Sequence, residues 1–292
     1  MDKVIVTGAN GMLGSGIIKE FGGKYKFYSV DKDPLEPILP NPVQVDLTDR
    51  KKLEQIFTEI KPDLVIHCAA ITNVDFCEDN PELAHKVNVE ATGNLAKLCK
   101  KSNAVMIYIS TDYVFDGDKG NYTESDSPSP VGVYAKTKLQ GEDEVITSGA
   151  KYIIARTSIY GWNMLKKACF VEWIINSNKE KKEVNIFTDQ FSTPIFTINL
   201  AEILFELYEN KNYGLFNIVG SEKISKYDFA MKIAEIFNLD KSLIKKTTID
   251  KFPFKAKRPK DISLNIEKVK RLLKKTKLLD AREGLLMMKS RK

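Results

Sequence analysis

The chain has 292 residues, 43% hydrophobic and 29% charged, with four cysteines, two histidines and a net charge of +6. This much apolar material can offset chain entropy, which excludes disorder over most of the length, and no apolar run approaches the roughly 18 residues of a membrane helix. Cys68, Cys77, Cys99 and Cys169 are scattered, with no CxxC pair and no metal-ligand spacing, so the expectation is reduced thiols in a cytoplasmic protein without a metal.

Met1-Asp2-Lys3 leads straight into Val4–Val6 and a glycine turn, which argues against a signal peptide. From residue 251 to the end there are 15 Lys and Arg against 4 Asp and Glu. No aromatic interleaving or nucleic-acid motif accompanies them, so a solvated face is expected and neither nucleic acid nor membrane is called as a partner. In chain order, Lys3–Thr7, Phe27–Val30, Val43–Val45, Asp63–Cys68, Val105–Ser110 and Tyr152–Arg156 read as strands. Most are continuously apolar, as when a parallel sheet is covered on both faces. Between them lie helical patterns: Leu53, Ile56, Phe57 and Ile60 form a stripe behind the capping residues Asp46-Leu47-Thr48-Asp49, and Asn80-Pro81 marks another start. This alternation predicts an α/β protein with a Rossmann-type, doubly wound parallel sheet over residues 1–160. Beyond 160 the rhythm breaks. Helices are expected at about 164–179, 199–210, 225–237 and 265–275, with extended pieces at Val184–Phe187 and Leu215–Val219. They predict a smaller C-terminal lobe over 161–292, with segments around 184–210 open to returning to the first.

The first strand ends in Thr7-Gly8-Ala9-Asn10-Gly11-Met12-Leu13-Gly14 and passes into a helix. Glycines there permit a sharp turn and close approach to a pyrophosphate, which the helix N-terminus attracts. The bland alternative is a glycine turn without a ligand. Asp31 ends the second strand, placed to accept from an adenosine ribose and to repel a 2′-phosphate, so NADH is slightly favoured over NADPH. Lys32 leaves tolerance for the latter. Two Tyr-x-x-x-Lys pairs exist. Tyr28/Lys32 straddles a strand end, whereas Tyr134/Lys138 lies on one helix face, where a lysine ammonium is expected to lower the phenol pKa. Thr111 follows the fifth strand, at the end of the sheet where ligands bind, and can hold the carbonyl oxygen that Tyr134 protonates, unless it only caps a turn. His67 and His85 are expected to pack rather than bind metal.

These residues together resemble the extended short-chain dehydrogenase/reductases, and among them the dTDP-4-dehydrorhamnose reductase family. The resemblance includes Ala69-Ala70-Ile71-Thr72-Asn73-Val74-Asp75, Ser110-Thr-Asp-Tyr-Val-Phe115, Pro130-Val-Gly-Val-Tyr-Ala-Lys-Thr-Lys138, Arg156-Thr-Ser158, Asp189-Gln190 and Arg258-Pro-Lys-Asp-Ile-Ser-Leu-Asn265. It implies reduction of the C4 keto group of a nucleotide-linked 4-keto-6-deoxy sugar by NADH or NADPH, with Thr111, Tyr134 and Lys138 catalytic and the C-terminal lobe binding substrate. It further implies cofactor contacts from Gly8, Asn10, Gly11, Met12, Leu13, Gly14, Asp31, Asp46, Leu47, Ala70, Ile71 and Thr72, besides Tyr134 and Lys138. Thr111 and Asp112 would face the sugar. For Arg258 the expectation is a place facing the substrate diphosphate or the adjoining sugar pocket, the alternative being that it caps a helix or pairs with a neighbouring acid such as Asp261. The nucleotide sugar is the expected partner, and a homodimer is left open. Two departures stand out: Ile159 replaces the Trp that commonly follows Arg-Thr-Ser, with Trp162 a candidate substitute, and Ala135 replaces a Gly. The competing readings are a nucleotide-sugar epimerase or dehydratase, against which Tyr113 stands where dehydratases carry Glu, and a cofactor-binding regulatory subunit like that of methionine adenosyltransferase.

Overall fold

The computed structural model describes residues 1–163 and 168–291, so the first part of the helix expected at 164–179 lies outside the described residues. Seven strands form one parallel sheet: β1 (Lys3–Thr7), β2 (Lys26–Asp31), β3 (Pro42–Gln44), β4 (Leu64–His67), β5 (Val105–Ile109), β6 (Lys151–Arg156) and β7 (Gly214–Asn217). Their spatial order is β3-β2-β1-β4-β5-β6-β7. The registers Val4↔Phe27 and Val4↔Leu64 set β1 at the point where the order reverses. In such a sheet ligands bind beyond the strand C-termini beside that reversal. The expected α/β Rossmann-type architecture is present.

Successive β1 residues face opposite layers. Val4 and Val6 pack under the helices Met12–Phe21 and Thr197–Glu209, through residues such as Ile17, Leu200 and Leu204. Ile5 packs on the other side with Leu53 and Phe57 of Arg50–Ile60 and Leu95 of Ala91–Ser102. Burial on both faces explains the unbroken apolar runs, each fully buried aliphatic side chain contributing about 1.5–3 kcal/mol. Asp49 caps Arg50–Ile60 by accepting from the Lys52 N–H at 3.1 Å. After Asn80, the helix Pro81–His85 continues through a π-helical turn, Lys86–Glu90, into Ala91–Ser102.

Two extended or helical expectations change, at 215–219 and at 265–275. Leu215–Val219, expected in the C-terminal lobe, becomes β7 at the sheet edge, paired with β6, because Phe216 and Leu215 find opposite apolar layers there. Of the stretch open to return, Thr197–Glu209 packs on Met12–Phe21, with Phe205 and Phe21 rings 4.5 Å apart, while Val184–Phe187 pairs with Ile244–Thr247. The helix expected at 265–275 shrinks to Glu267–Lys270, since the Glu206 carboxylate collects the N–H groups of Lys275 at 3.0 Å and Thr276 at 2.7 Å and ends the need for helical partners. A separate core joins Phe170–Lys179, Lys226–Phe237 and Ala281–Ser290 around Tyr160, Ile174, Phe229 and Leu285. No helix of the described residues is long and apolar enough to cross a membrane.

Candidate functional site

Four loops meet at the C-terminal ends of the central strands. After β1, Gly8 adopts φ +65°, and a Cβ there would come within 2.8 Å of the Ala69 backbone nitrogen. A Cβ on Gly14 would run into the Gly8 carbonyl oxygen, so the helix can start this close to the strand only with glycine at both positions. The ten-residue helix opens at Gly11 with no side-chain cap, which leaves the first-turn N–H groups of Met12 and Leu13 for an anion. Leu13 also anchors the loop in the core. Asn10 is buried and holds the next loop, its Nδ2 donating to the Pro34 carbonyl at 3.0 Å. Asp31, at the end of β2, accepts from the Asn10 N–H at 3.1 Å, which ties it to the rim of the glycine loop. These features suit a dinucleotide, with the backbone close to its pyrophosphate and a carboxylate at its ribose.

On the same rim, Asp46 accepts from the Thr48 N–H at 2.8 Å, which pulls its carboxyl below the usual range, while Leu47 is buried in the core. After β4 the chain Ala70-Ile71-Thr72 is held by Asn88, whose Oδ1 accepts from the Ile71 N–H at 2.9 Å and whose Nδ2 donates back to the Ile71 carbonyl at 3.1 Å. Asn88 lies on the π-helical turn and was not singled out in the sequence; the turn that aims it has no sequence signature. His67, just below, is buried between the Thr7 and Thr92 hydroxyls at 2.7 and 3.0 Å, and burial drives its pKa down to about 3. No group of three acidic, His or Cys side chains converges on a metal position among the described residues.

Thr111 and Asp112 follow β5, and both are buried. The Thr111 hydroxyl donates to Asp112 Oδ1 at 3.2 Å. Tyr134 and Lys138 lie one turn apart on the helix Val133–Thr147, and Thr111 lies against the Tyr134 phenol. Burial raises the Tyr134 pKa above its ordinary value, with the Thr111 hydroxyl pulling the other way. Lys138, also buried, is pushed down to about 7, and its ammonium sits 4.0 Å from the Tyr108 ring centroid. The expected lowering of the phenol pKa is therefore overturned: a lysine desolvated this far carries only part of its charge near neutrality, and burial of the phenol outweighs it. Glu142, one turn further on, accepts from Ser110 Oγ at 2.5 Å and from Arg156 Nη2 at 2.7 Å.

The C-terminal part of the chain adds Arg258 to this region. Arg258 forms an ion pair with Asp75 at 2.9 Å, and its guanidinium lies 4.9 Å from the Phe254 ring centroid. Its acid partner is thus Asp75 rather than Asp261, which pairs with Lys223. A cleft of about 340 Å³ lies beside it, lined by Asp116, Asp118, Phe252, Phe254, Lys257 and Lys260. Trp162 is turned away into the second core, with Nε1 donating to the Met288 carbonyl at 2.8 Å and its ring edge-on to Phe237.

The family model described as RmlD substrate binding domain matches residues 2–288. A Haloferax volcanii protein named "Probable low-salt glycan biosynthesis reductase Agl14" is 35% identical over 90% of this chain and 90% of its own. The "Methionine adenosyltransferase 2 subunit beta" of Rattus norvegicus is 33% identical over 92% of this chain and 82% of its own. The crystal structure of dTDP-4-dehydrorhamnose reductase from Bacillus anthracis, in complex with NADP, superposes with a TM-score of 0.90 at 31% identity, covering 100% of this chain and 99% of that one. With a match along nearly its whole length, the chain belongs to the RmlD substrate binding domain family, that of the dTDP-4-dehydrorhamnose reductases.

Proposed function

We propose that the protein is an NAD(P)H-dependent reductase of a nucleotide-linked 4-keto-6-deoxy sugar, of the dTDP-4-dehydrorhamnose to dTDP-rhamnose type. The observation that carries this reading is the meeting of Thr111, Tyr134 and Lys138 at the strand ends beside the glycine loop. When bound, the reduced nicotinamide supplies a hydride to the carbonyl carbon. Tyr134 Oη holds the proton that goes to the carbonyl oxygen, and its raised pKa keeps it protonated at neutral pH. The Thr111 hydroxyl orients that oxygen, and Lys138 stands ready to hold a ribose hydroxyl. Supplied with dTDP-4-dehydrorhamnose and NADH, the protein should consume the absorbance of the reduced nicotinamide in step with sugar. A second reading, a cofactor-binding regulatory subunit, draws support from the methionine adenosyltransferase relative. It predicts dinucleotide binding with no oxidation.

NADH should serve at least as well as NADPH, because a 2′-phosphate would meet the Asp31 carboxylate. Steady-state comparison of the two decides, and a strong NADPH preference would mean that a cation such as Lys32 governs the pocket. Arg258→Ala should raise KM for the nucleotide sugar about tenfold, the loss of roughly 1.4 kcal/mol of binding, while NADH affinity holds. A lower melting temperature with KM unmoved would assign Arg258 to the Asp75 pair alone.

A further inference from the structure

Asp112 is 2% exposed; its Oδ1 is held by Thr111, the Ser158 hydroxyl also lies against the carboxyl, and Oδ2 meets no donor in hydrogen-bonding geometry among the described residues. A buried carboxylate oxygen without a donor is costly and calls for a missing one. Within electrostatic reach of it is Lys226, the first residue of Lys226–Phe237, whose backbone N–H is pinned to the Gln190 carbonyl at 2.9 Å. Its ammonium lies 4.9 Å from the Phe170 ring centroid. The two charges attract without forming a direct ion pair. The Tyr134 phenol stands beside Asp112, and the Tyr113 ring stands 6.2 Å from that of Tyr134. A buried carboxylate oxygen with room for one more donor therefore lies within electrostatic reach of an ammonium, with the proton-bearing phenol alongside.

We propose that Lys226 and Asp112 bracket one hydroxyl of the sugar, which donates to Asp112 Oδ2 and accepts from Lys226 Nζ, so that Lys226 is a specificity-determining residue selecting a ring hydroxyl beside the reacting carbonyl. A hydroxyl fits because it both donates and accepts; a deoxy position would leave both charges unserved, and sites built to bind a hydroxyl reject analogues lacking it strongly. The inference rests on the reductase reading for its substrate class.

Burial raises the Asp112 pKa to about 6, opposed by the Lys226 ammonium and by the Ser158 and Thr111 hydroxyls; Tyr134 and Tyr113 are also near it, and Lys226 in turn is near Asp112 and Cys169. Discrimination should accordingly fade as pH falls through about 6 and the carboxylate is protonated.

The test compares dTDP-4-dehydrorhamnose with the same nucleotide sugar lacking the hydroxyl beside the carbonyl, by kcat/KM and by calorimetric Kd. Wild type should prefer the hydroxylated sugar by about 10²-fold or more. Lys226→Met should cut that preference to about tenfold or less, Lys226→Arg should keep more of it, and NADPH affinity should be unchanged in both. An unchanged preference in a Lys226→Met protein that still binds NADPH overturns the bracket. If wild type turns over neither sugar, the reductase reading fails; the ratio of the two Kd values, and its response to Lys226→Met, then decides the bracket alone.

Discussion

Tyr134→Phe should lower turnover at least ~10²-fold, the scale for losing a positioned proton donor, while the affinity for NAD(P)H is kept. The phenol is surrounded by Thr111, Asp112 and Tyr113, and its burial raises its pKa, so across neutral pH it remains a protonated acid. Removing one oxygen leaves the ring to pack against Tyr113 and changes little else. Lys138 titrates separately: burial lowers it to about 7, so its charge is present below that pH and fades above it. A change in kcat/KM near pH 7 would therefore report Lys138, and it should persist in the residual activity of Tyr134→Phe. Steady-state rates with fluorescence titration of NADPH measure both halves. Near-normal rates in the variant would remove Tyr134 from the role of acid.

Much of the fold could be read from the chain because parallel strands covered on both faces announce themselves as short apolar runs, as Leu64–His67 and Val105–Ile109 do. The Tyr134/Lys138 pair was legible for a local reason, one helical turn between the two residues. Their protonation was not legible, because burial of both groups is set by elements distant in the chain. The same limit applies to the helix expected at 265–275, which ends at Lys270 with Glu206 capturing the amides of the chain that follows, and to Lys226, whose approach to Asp112 is set by elements far apart in the chain. Arg258 belongs with these: its charge and motif were visible, its partner Asp75 was not.

Glu142→Ala should be the most damaging single change to stability. The carboxylate accepts from Arg156 Nε at 3.0 Å and Nη2 at 2.7 Å and from Ser110 Oγ, and the two ionic side chains are 1% and 4% exposed. Truncating one member leaves the Arg156 guanidinium buried with an uncompensated charge, at a cost of about 3–5 kcal/mol. In a chain of this length that is a fall in melting temperature on the order of 10 °C. Glu142 also raises the Lys138 pKa, so its loss should push the lysine further below about 7 and move the Lys138-dependent change in kcat/KM toward acid. Replacing both partners, Glu142→Leu with Arg156→Met, should recover most of the stability, since a well-packed apolar pair avoids the desolvation cost of two charges. It should not restore the lysine's pKa, because the carboxylate that supported the ammonium is still gone. Denaturant unfolding of the two singles and the double gives the coupling energy, and pH–rate profiles give the lysine. If Glu142→Ala costs less than about 1 kcal/mol, the pair is not what holds the helix carrying Tyr134 and Lys138 against β6.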